Sequence, residues 1–192
     1  MNNDTASRIR ESAHDLMAER GYFGFSYANI AESVGIRKAS IHHHFPSKVD
    51  LVVATLKESR ASLVRAVGSL DDNVTDPMRR LKLYVHHLAE CVHNNHRPIY
   101  IAALLSAELP ALPNEIQIEV QQHFCVLVSW VKTTLKEGTS LGTIYLRQSA
   151  EIEAQSFVAL LHGAMISARA FNSPDLFSSV TGGALTCFRS RV

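Results

Sequence analysis

Three consecutive histidines, His42, His43 and His44, stand in the stretch ASIHHHFPSK. Imidazoles bind metals, transfer protons and hydrogen-bond to phosphates or base edges, so the run could serve a metal site, a catalytic site or a nucleic-acid surface. If the stretch is helical, successive side chains point about 100° apart. Three adjacent histidines then do not converge on one metal ion, and their chemistry depends on the elements that carry them.

The stretch reads as the second of two short helices joined by a tight turn. Ser26 is suited to cap the first helix, and Gly35 is suited to the left-handed backbone of the turn that follows. The second helix is predicted from about Lys38 to about Phe45. Two helices joined in this way predict a helix-turn-helix, which places its second helix in the major groove of DNA.

The outward face of this second helix concentrates groups that bind DNA. No acidic residue lies between Glu32 and Asp50, although the whole chain has a formal net charge of only +1. Lysine and arginine would contact phosphates or guanine, and serine and histidine would contact phosphates or base edges. The alternative is a solvated helix face. The side chains concerned are Arg37, Lys38, Ser40, His42, His43 and His44, with Lys48 just beyond.

The sequence FSYANIAESVGIRKASIHHHFPSKVDL resembles the DNA-binding signature of the TetR family of repressors, TSxxxIAxxxGVSxGxxYxHFxSKxxL. The likeness is strong over about the first fifty residues. In two departures, Arg37 stands where a capping serine is common and His42 replaces the usual aromatic residue. The resemblance places Lys48 at the DNA backbone. It implies DNA-binding roles for Ser26, Tyr27, Arg37, Lys38, Ala39, Ser40, His42, His43 and Lys48.

The rest of the chain also reads as helix. Apolar residues recur at helical spacing, and no alternating strand pattern is present, so the fold class is all-α with about nine helices. Gly68 is predicted to end the helix that begins after Ser47, and the polar segment GSLDDNVTDP to separate two modules. We predict a three-helix DNA-binding domain over residues 1–48, a connecting helix over 49–70, and an effector-binding and dimerisation domain over 71–192. The remaining helices are predicted over about residues 5–20, 77–95, 98–109, 114–137, 149–171 and 174–188.

The resemblance implies a homodimer and a small-molecule pocket in the C-terminal half. The segment EAQSFVALLHGAMISAR is similar to the family's dimerisation helix, and small residues would let the last two helices pack closely against a second copy or within one subunit. These small residues are Ala159, Gly163, Ala164, Ala168 and Ala170. The pocket candidates combine apolar walls with few polar groups, although each could equally be ordinary core. They are Tyr84, His87, Leu88, Cys91, Tyr100, Leu104, Phe124, Leu127, Val128, Val131, Phe157, Leu161 and His162.

The segment HHLAECVHNNH offers a different kind of regulator. His87, Glu90 and Cys91 share one helix face, and His86, Glu90 and His93 share another. Such spacings can bind zinc, copper or nickel, and Cys91 or Cys125 could sense oxidants. The alternative is a mixed polar surface, and we predict no bound metal and no cofactor.

These patterns together favour a dimeric transcriptional repressor, released from a palindromic operator by a small molecule. An enzyme is disfavoured because the chain has no G-x-S-x-G, H-E-x-x-H, P-loop or G-x-G-x-x-G motif. The polar start MNNDTASRIR and the short apolar runs predict a cytoplasmic protein without a membrane partner.

Overall fold

A computed structural model describes residues 2–93 and 101–188, and these residues form nine α-helices and no strand. The all-α prediction is therefore confirmed. A 3₁₀ turn at Leu109–Ala111 separates the sixth helix from the seventh. The helices are α1 (Asn2–Arg20), α2 (Tyr27–Val34), α3 (Lys38–His44), α4 (Lys48–Asn73), α5 (Pro77–His93), α6 (Ile101–Glu108), α7 (Asn114–Ser140), α8 (Ala150–Ala170) and α9 (Pro174–Cys187).

The predicted end of α4 at Gly68 is wrong, because the helix continues to Asn73. A glycine inside a helix costs only about 1 kcal/mol relative to alanine, which a long helix tolerates. The turn between α4 and α5 is confined to residues 74–76. Asp76 caps α5 there, since its carboxylate accepts a hydrogen bond from the backbone N–H of Met78 (3.0 Å). The predicted helix ends near Asn95 and Pro98 lie outside the described residues.

The described chain forms two compact units that do not follow sequence order. The first unit contains residues up to 61 together with 101–123, and the second contains 62–93 together with 124–188. Helices α4 and α7 each contribute residues to both units. The functional boundaries at residues 48 and 70 stay predictions.

The first unit has a small core that fixes α1, α2 and α3 to the start of α4. Arg8 of α1 also donates a hydrogen bond to the carbonyl of Val34 (2.8 Å), which satisfies a backbone group at the end of α2. Each large apolar side chain buried here contributes roughly 1.5–3 kcal/mol. The buried side chains include Ile9, Met17, Ile30, Val34, Ile41, Phe45, Leu51 and Val52.

The second unit is built from α5, α8, α9 and the later part of α7. A buried arginine anchors the turn before α5: Arg80 donates to the carbonyl of Val74 (2.5 Å) and to Glu137 (2.6 Å). Asp71 lies 3.6 Å from the same guanidinium and accepts a hydrogen bond from the indole N–H of Trp130 (3.1 Å). None of the helices in the described ranges is long and apolar enough to cross a membrane.

Candidate functional site

The helix-turn-helix predicted from the sequence is present, and local contacts hold its first helix. Ser26 has an extended backbone, and its hydroxyl accepts a hydrogen bond from the N–H of Ala28 (3.2 Å). Its own N–H donates to the side chain of Asn29 (2.9 Å), completing a reciprocal cap. Gly35 ends α2 with φ 74°, a left-handed conformation that favours glycine. The turn thereby directs the chain into α3.

Helix α3 buries one side and exposes the other. Ile41 is fully buried, whereas Arg37, Lys38, Ala39 and Ser40 are exposed. Arg37 stands at the N-cap position with no side-chain cap, as its residue type predicts. The start of α3 therefore presents two cations and uncapped backbone N–H groups, an arrangement that favours an anion such as phosphate.

Two aromatic side chains predicted to meet DNA also stabilise the turn between α3 and α4. The hydroxyl of Tyr27 lies 2.9 Å from the carbonyl oxygen of Phe45 and 2.6 Å from that of Ser47. Burial, aided by the charge of Asp50, raises the pKa of Tyr27 to about 12. The ring of His42 packs edge-on against the Tyr27 ring at 4.8 Å. Sequence reasoning missed this turn-holding role because it is a tertiary contact.

Lys48 is half-buried, and its ammonium faces the interior of the first unit. Its Nζ donates to the carbonyls of Tyr22 (2.6 Å) and Phe25 (2.5 Å), and lies over both of their rings. Burial lowers the pKa of Lys48, and the charge of Glu108 opposes that shift. Glu108 also accepts a hydrogen bond from the N–H of Tyr22 (3.1 Å). A phosphate contact by Lys48 stays a prediction. Its hydrogen bonds to the carbonyls of Tyr22 and Phe25 were not indicated by any signal in the sequence.

Comparison with known proteins identifies the family. The family described as "Bacterial regulatory proteins, tetR family" matches residues 9–55. A solved TetR-family transcriptional regulator from Agrobacterium tumefaciens is 36% identical, with a TM-score of 0.97 over 99% of this chain and 100% of that one. The chain belongs to the TetR family. It is a DNA-binding transcriptional regulator and not an enzyme.

Curated TetR-type relatives are more distant. The HTH-type transcriptional regulator CymR of Pseudomonas putida is 26% identical over 147 residues, which cover 71% of this chain and 68% of that protein. The HTH-type transcriptional repressor KstR2 of Mycobacterium tuberculosis is 26% identical over 117 residues, covering 61% of this chain and 58% of that protein. These partial matches support the regulatory class.

The predicted pocket residues of this TetR-family chain fall into several environments. Leu104 belongs to the first unit and is half-buried, and Tyr100 lies outside the described residues. In the second unit His87 is exposed, whereas Cys91, Phe124 and Val128 are half-buried. The buried members are Tyr84, Leu88, Leu127, Val131, Phe157, Leu161 and His162.

His162 of α8 is the unusual member of this group. It is 7% exposed, and its Nδ1 has no hydrogen-bond partner among the described residues. Its ring packs edge-on against the ring of Phe124, with centroids 4.9 Å apart. Burial lowers the pKa of His162 to about 4, so the imidazole is neutral near pH 7. The second unit thus holds a buried, neutral imidazole packed against an aromatic ring.

The histidine- and cysteine-containing face of α5 has little metal-binding geometry. His86 contacts Glu90 at 3.5 Å, and the Sγ of Cys91 lies 3.9 Å from the ring of His87. Within the part of the chain that the structure describes, no three His, Cys, Asp or Glu side chains are placed to hold a metal ion. Burial raises the pKa of Cys91, with a further contribution from Glu90, which works against a reactive thiolate.

Proposed function

We propose that this chain is a homodimeric repressor that binds a palindromic operator through α3 and leaves it when a small molecule binds to the second unit. The observation that carries the proposal is the exposed start of α3, where Arg37, Lys38, Ala39 and Ser40 face solvent. Ser26 at the start of α2 would contact phosphate, and His42 and His43 would contribute further contacts. Tyr27 would contact phosphate through a group other than its hydroxyl proton, which is donated to internal carbonyls. Lys48 would add a backbone contact if its ammonium can leave the internal carbonyls.

Exposed glycines in α8 and α9 support the dimer. A Cβ added to Gly163, Gly182 or Gly183 would meet no atom within 4 Å, so packing inside one chain gives no reason for glycine there. Each nevertheless costs its helix up to about 1 kcal/mol relative to alanine. Close approach by the helices of a second copy would account for all three. Ala159 and Ala170 are exposed on α8 as well, whereas Ala164 and Ala168 are buried.

A two-fold dimer explains why the operator should be palindromic. The two α3 helices would enter successive major grooves, roughly 34–36 Å apart, and each would read one half-site. A ligand that binds better to a dimer with another spacing would release the DNA by shifting the population. Without such differential affinity a ligand would have no effect on operator binding.

Support for a small-molecule effector comes from the apolar surroundings of His162. Phe124 packs on its ring, and the side chains of Phe157 and Leu161 on the same helix are buried. A mostly apolar wall with one polar group is typical of small-molecule sites. The raised pKa of the half-buried Cys91 gives less support to the thiol-responsive alternative.

The test starts from operator DNA selected from a random duplex pool by the purified full-length chain. Sedimentation of the complex should show two chains on each site, and fluorescence anisotropy should reveal compounds that release the DNA. Release that needs chelator or oxidant instead of a compound would favour the metal- or thiol-responsive alternative. A single chain bound to an asymmetric site would overturn the dimeric proposal.

A further inference from the structure

The imidazole of His42 has a fixed proton position. Its Nδ1 lies 3.2 Å from the carbonyl oxygen of Pro46. Because a carbonyl oxygen only accepts hydrogen bonds, Nδ1 must carry the proton. A neutral imidazole has only one N–H, so Nε2 then carries a lone pair and acts only as an acceptor.

The orientation of the ring is fixed as well. Tyr27 packs edge-on against His42, and the Tyr27 hydroxyl is held by the carbonyls of Phe45 and Ser47. The side chain of His42 is nevertheless exposed. Among the described residues, its hydrogen-bond and ring contacts are those with Pro46 and Tyr27.

We propose that His42 reads operator sequence by accepting, at Nε2, a hydrogen bond from an exocyclic amino group in the major groove. This inference rests on the proposed contact between α3 and DNA. In the major groove only the N4 amino group of cytosine and the N6 amino group of adenine are donors. Guanine O6 and N7, thymine O4 and phosphate oxygens are acceptors, so each would oppose the Nε2 lone pair.

The proposal gives His42 a different task from Lys38 at the start of the same helix. A lysine donates and therefore favours guanine or phosphate, whereas a neutral His42 favours cytosine or adenine. It also separates His42 from its neighbour His43, whose ring packs against the ring of His44. Neutral His42 would therefore specify one base pair in each half-site.

The experiment removes single amino groups from the selected operator, with all binding measured at pH 8. Adenine is replaced by purine, and cytosine by 2-pyrimidinone, one symmetric pair of positions at a time. At one such pair the replacement should weaken wild-type binding by about 2- to 12-fold for each half-site. For His42→Phe, the ratio of the affinities for unmodified and modified DNA should be no larger at this pair than at the other replaced positions. The base whose replacement weakens wild-type binding, adenine or cytosine, is the base that His42 contacts.

Controls separate this contact from general effects. Loss of pairing in the modified duplex affects wild type and variant alike, so their comparison removes it. His43→Phe should keep the wild-type response, and His42→Gln, which retains an acceptor oxygen, should keep part of it. Far-ultraviolet circular dichroism checks that each variant is folded. If His42→Phe does not fold, wild type is compared with His42→Gln, whose response should be smaller than that of wild type.

Two outcomes would overturn the inference. One is that wild type and His42→Phe respond equally at every replaced position. The other is that wild-type affinity rises about tenfold per unit fall in pH while His42→Phe does not respond, which would indicate a protonated His42 on phosphate. Failure to select any palindrome would contradict the proposed function instead.

Discussion

The burial of His162 predicts a loss of stability in mild acid. In the unfolded chain this histidine takes up a proton near its ordinary pKa of 6.5, whereas in the fold its pKa is lowered to about 4. Between these values the unfolded state binds more protons, so stability increases with pH. The part of the unfolding free energy that depends on a neutral His162 is fully present above about pH 6.5 and is lost as the pH falls towards 4.

The magnitude follows from these two pKa values. Moving from about pH 7.5 to about pH 5 should remove about 2 kcal/mol of unfolding free energy through His162. For a chain of this size that corresponds to a fall in Tm of about 4–8 °C. The pKa of His162 is lowered by one physical cause, which is the removal of the imidazole from water by burial.

The assay compares urea unfolding at the two pH values for wild type and His162→Gln. Glutamine keeps a polar side chain but does not titrate, so the variant should lose about 2 kcal/mol less than wild type on acidification. His43→Gln, which replaces an exposed histidine, serves as the matched control and should behave as wild type does. Equal pH dependence in wild type and His162→Gln would show that His162 does not cause the loss of stability.

Three further substitutions test other contacts. Lys48→Met removes the ammonium shared by two carbonyls and should lower the unfolding free energy by about 1.5–3 kcal/mol, measured by urea titration. Unchanged stability would contradict the internal role. If the salt dependence of DNA affinity also becomes flatter by about one unit of slope, Lys48 contacts phosphate as well. Arg80→Met leaves Glu137 and the carbonyl of Val74 without their donor and should cost about 1–3 kcal/mol, whereas an unchanged Tm would contradict that anchor. Gly163→Leu changes an exposed position where an added Cβ would meet no atom within 4 Å, so circular dichroism should be preserved while sedimentation shows a monomer. A persistent dimer would exclude this face.

The DNA-binding unit could be predicted because its signals are local. Ser26 caps α2 in a reciprocal arrangement with Asn29, three residues away, and Gly35 has a left-handed backbone that few other residues adopt. Likewise the exposed face of α3 follows from helical spacing around Ile41. These features depend on residues that are close together in the sequence, so the helix-turn-helix could be predicted from them.

Tertiary contacts set the limit of what the sequence could predict. Lys48 binds carbonyls more than twenty residues earlier, and Tyr22 meets Glu108 across 86 positions. Gly68 misled the prediction of the α4 end because a glycine permits a helix as well as a break. Residue type also did not separate the exposed His87 from the buried His162, although both were predicted to line one pocket.

We propose that α3 reads the operator, and parallel selections from one random duplex pool can decide whether it does. Wild type, Lys38→Ala and, as a matched surface control, Lys82→Ala would be selected at the same salt concentration. We expect wild type and Lys82→Ala to enrich the same palindrome. Lys38→Ala should bind that palindrome about 5- to 150-fold more weakly and lose its preference at one symmetric base pair. If Lys38→Ala enriches the same palindrome with unchanged affinity, α3 is not the reading element.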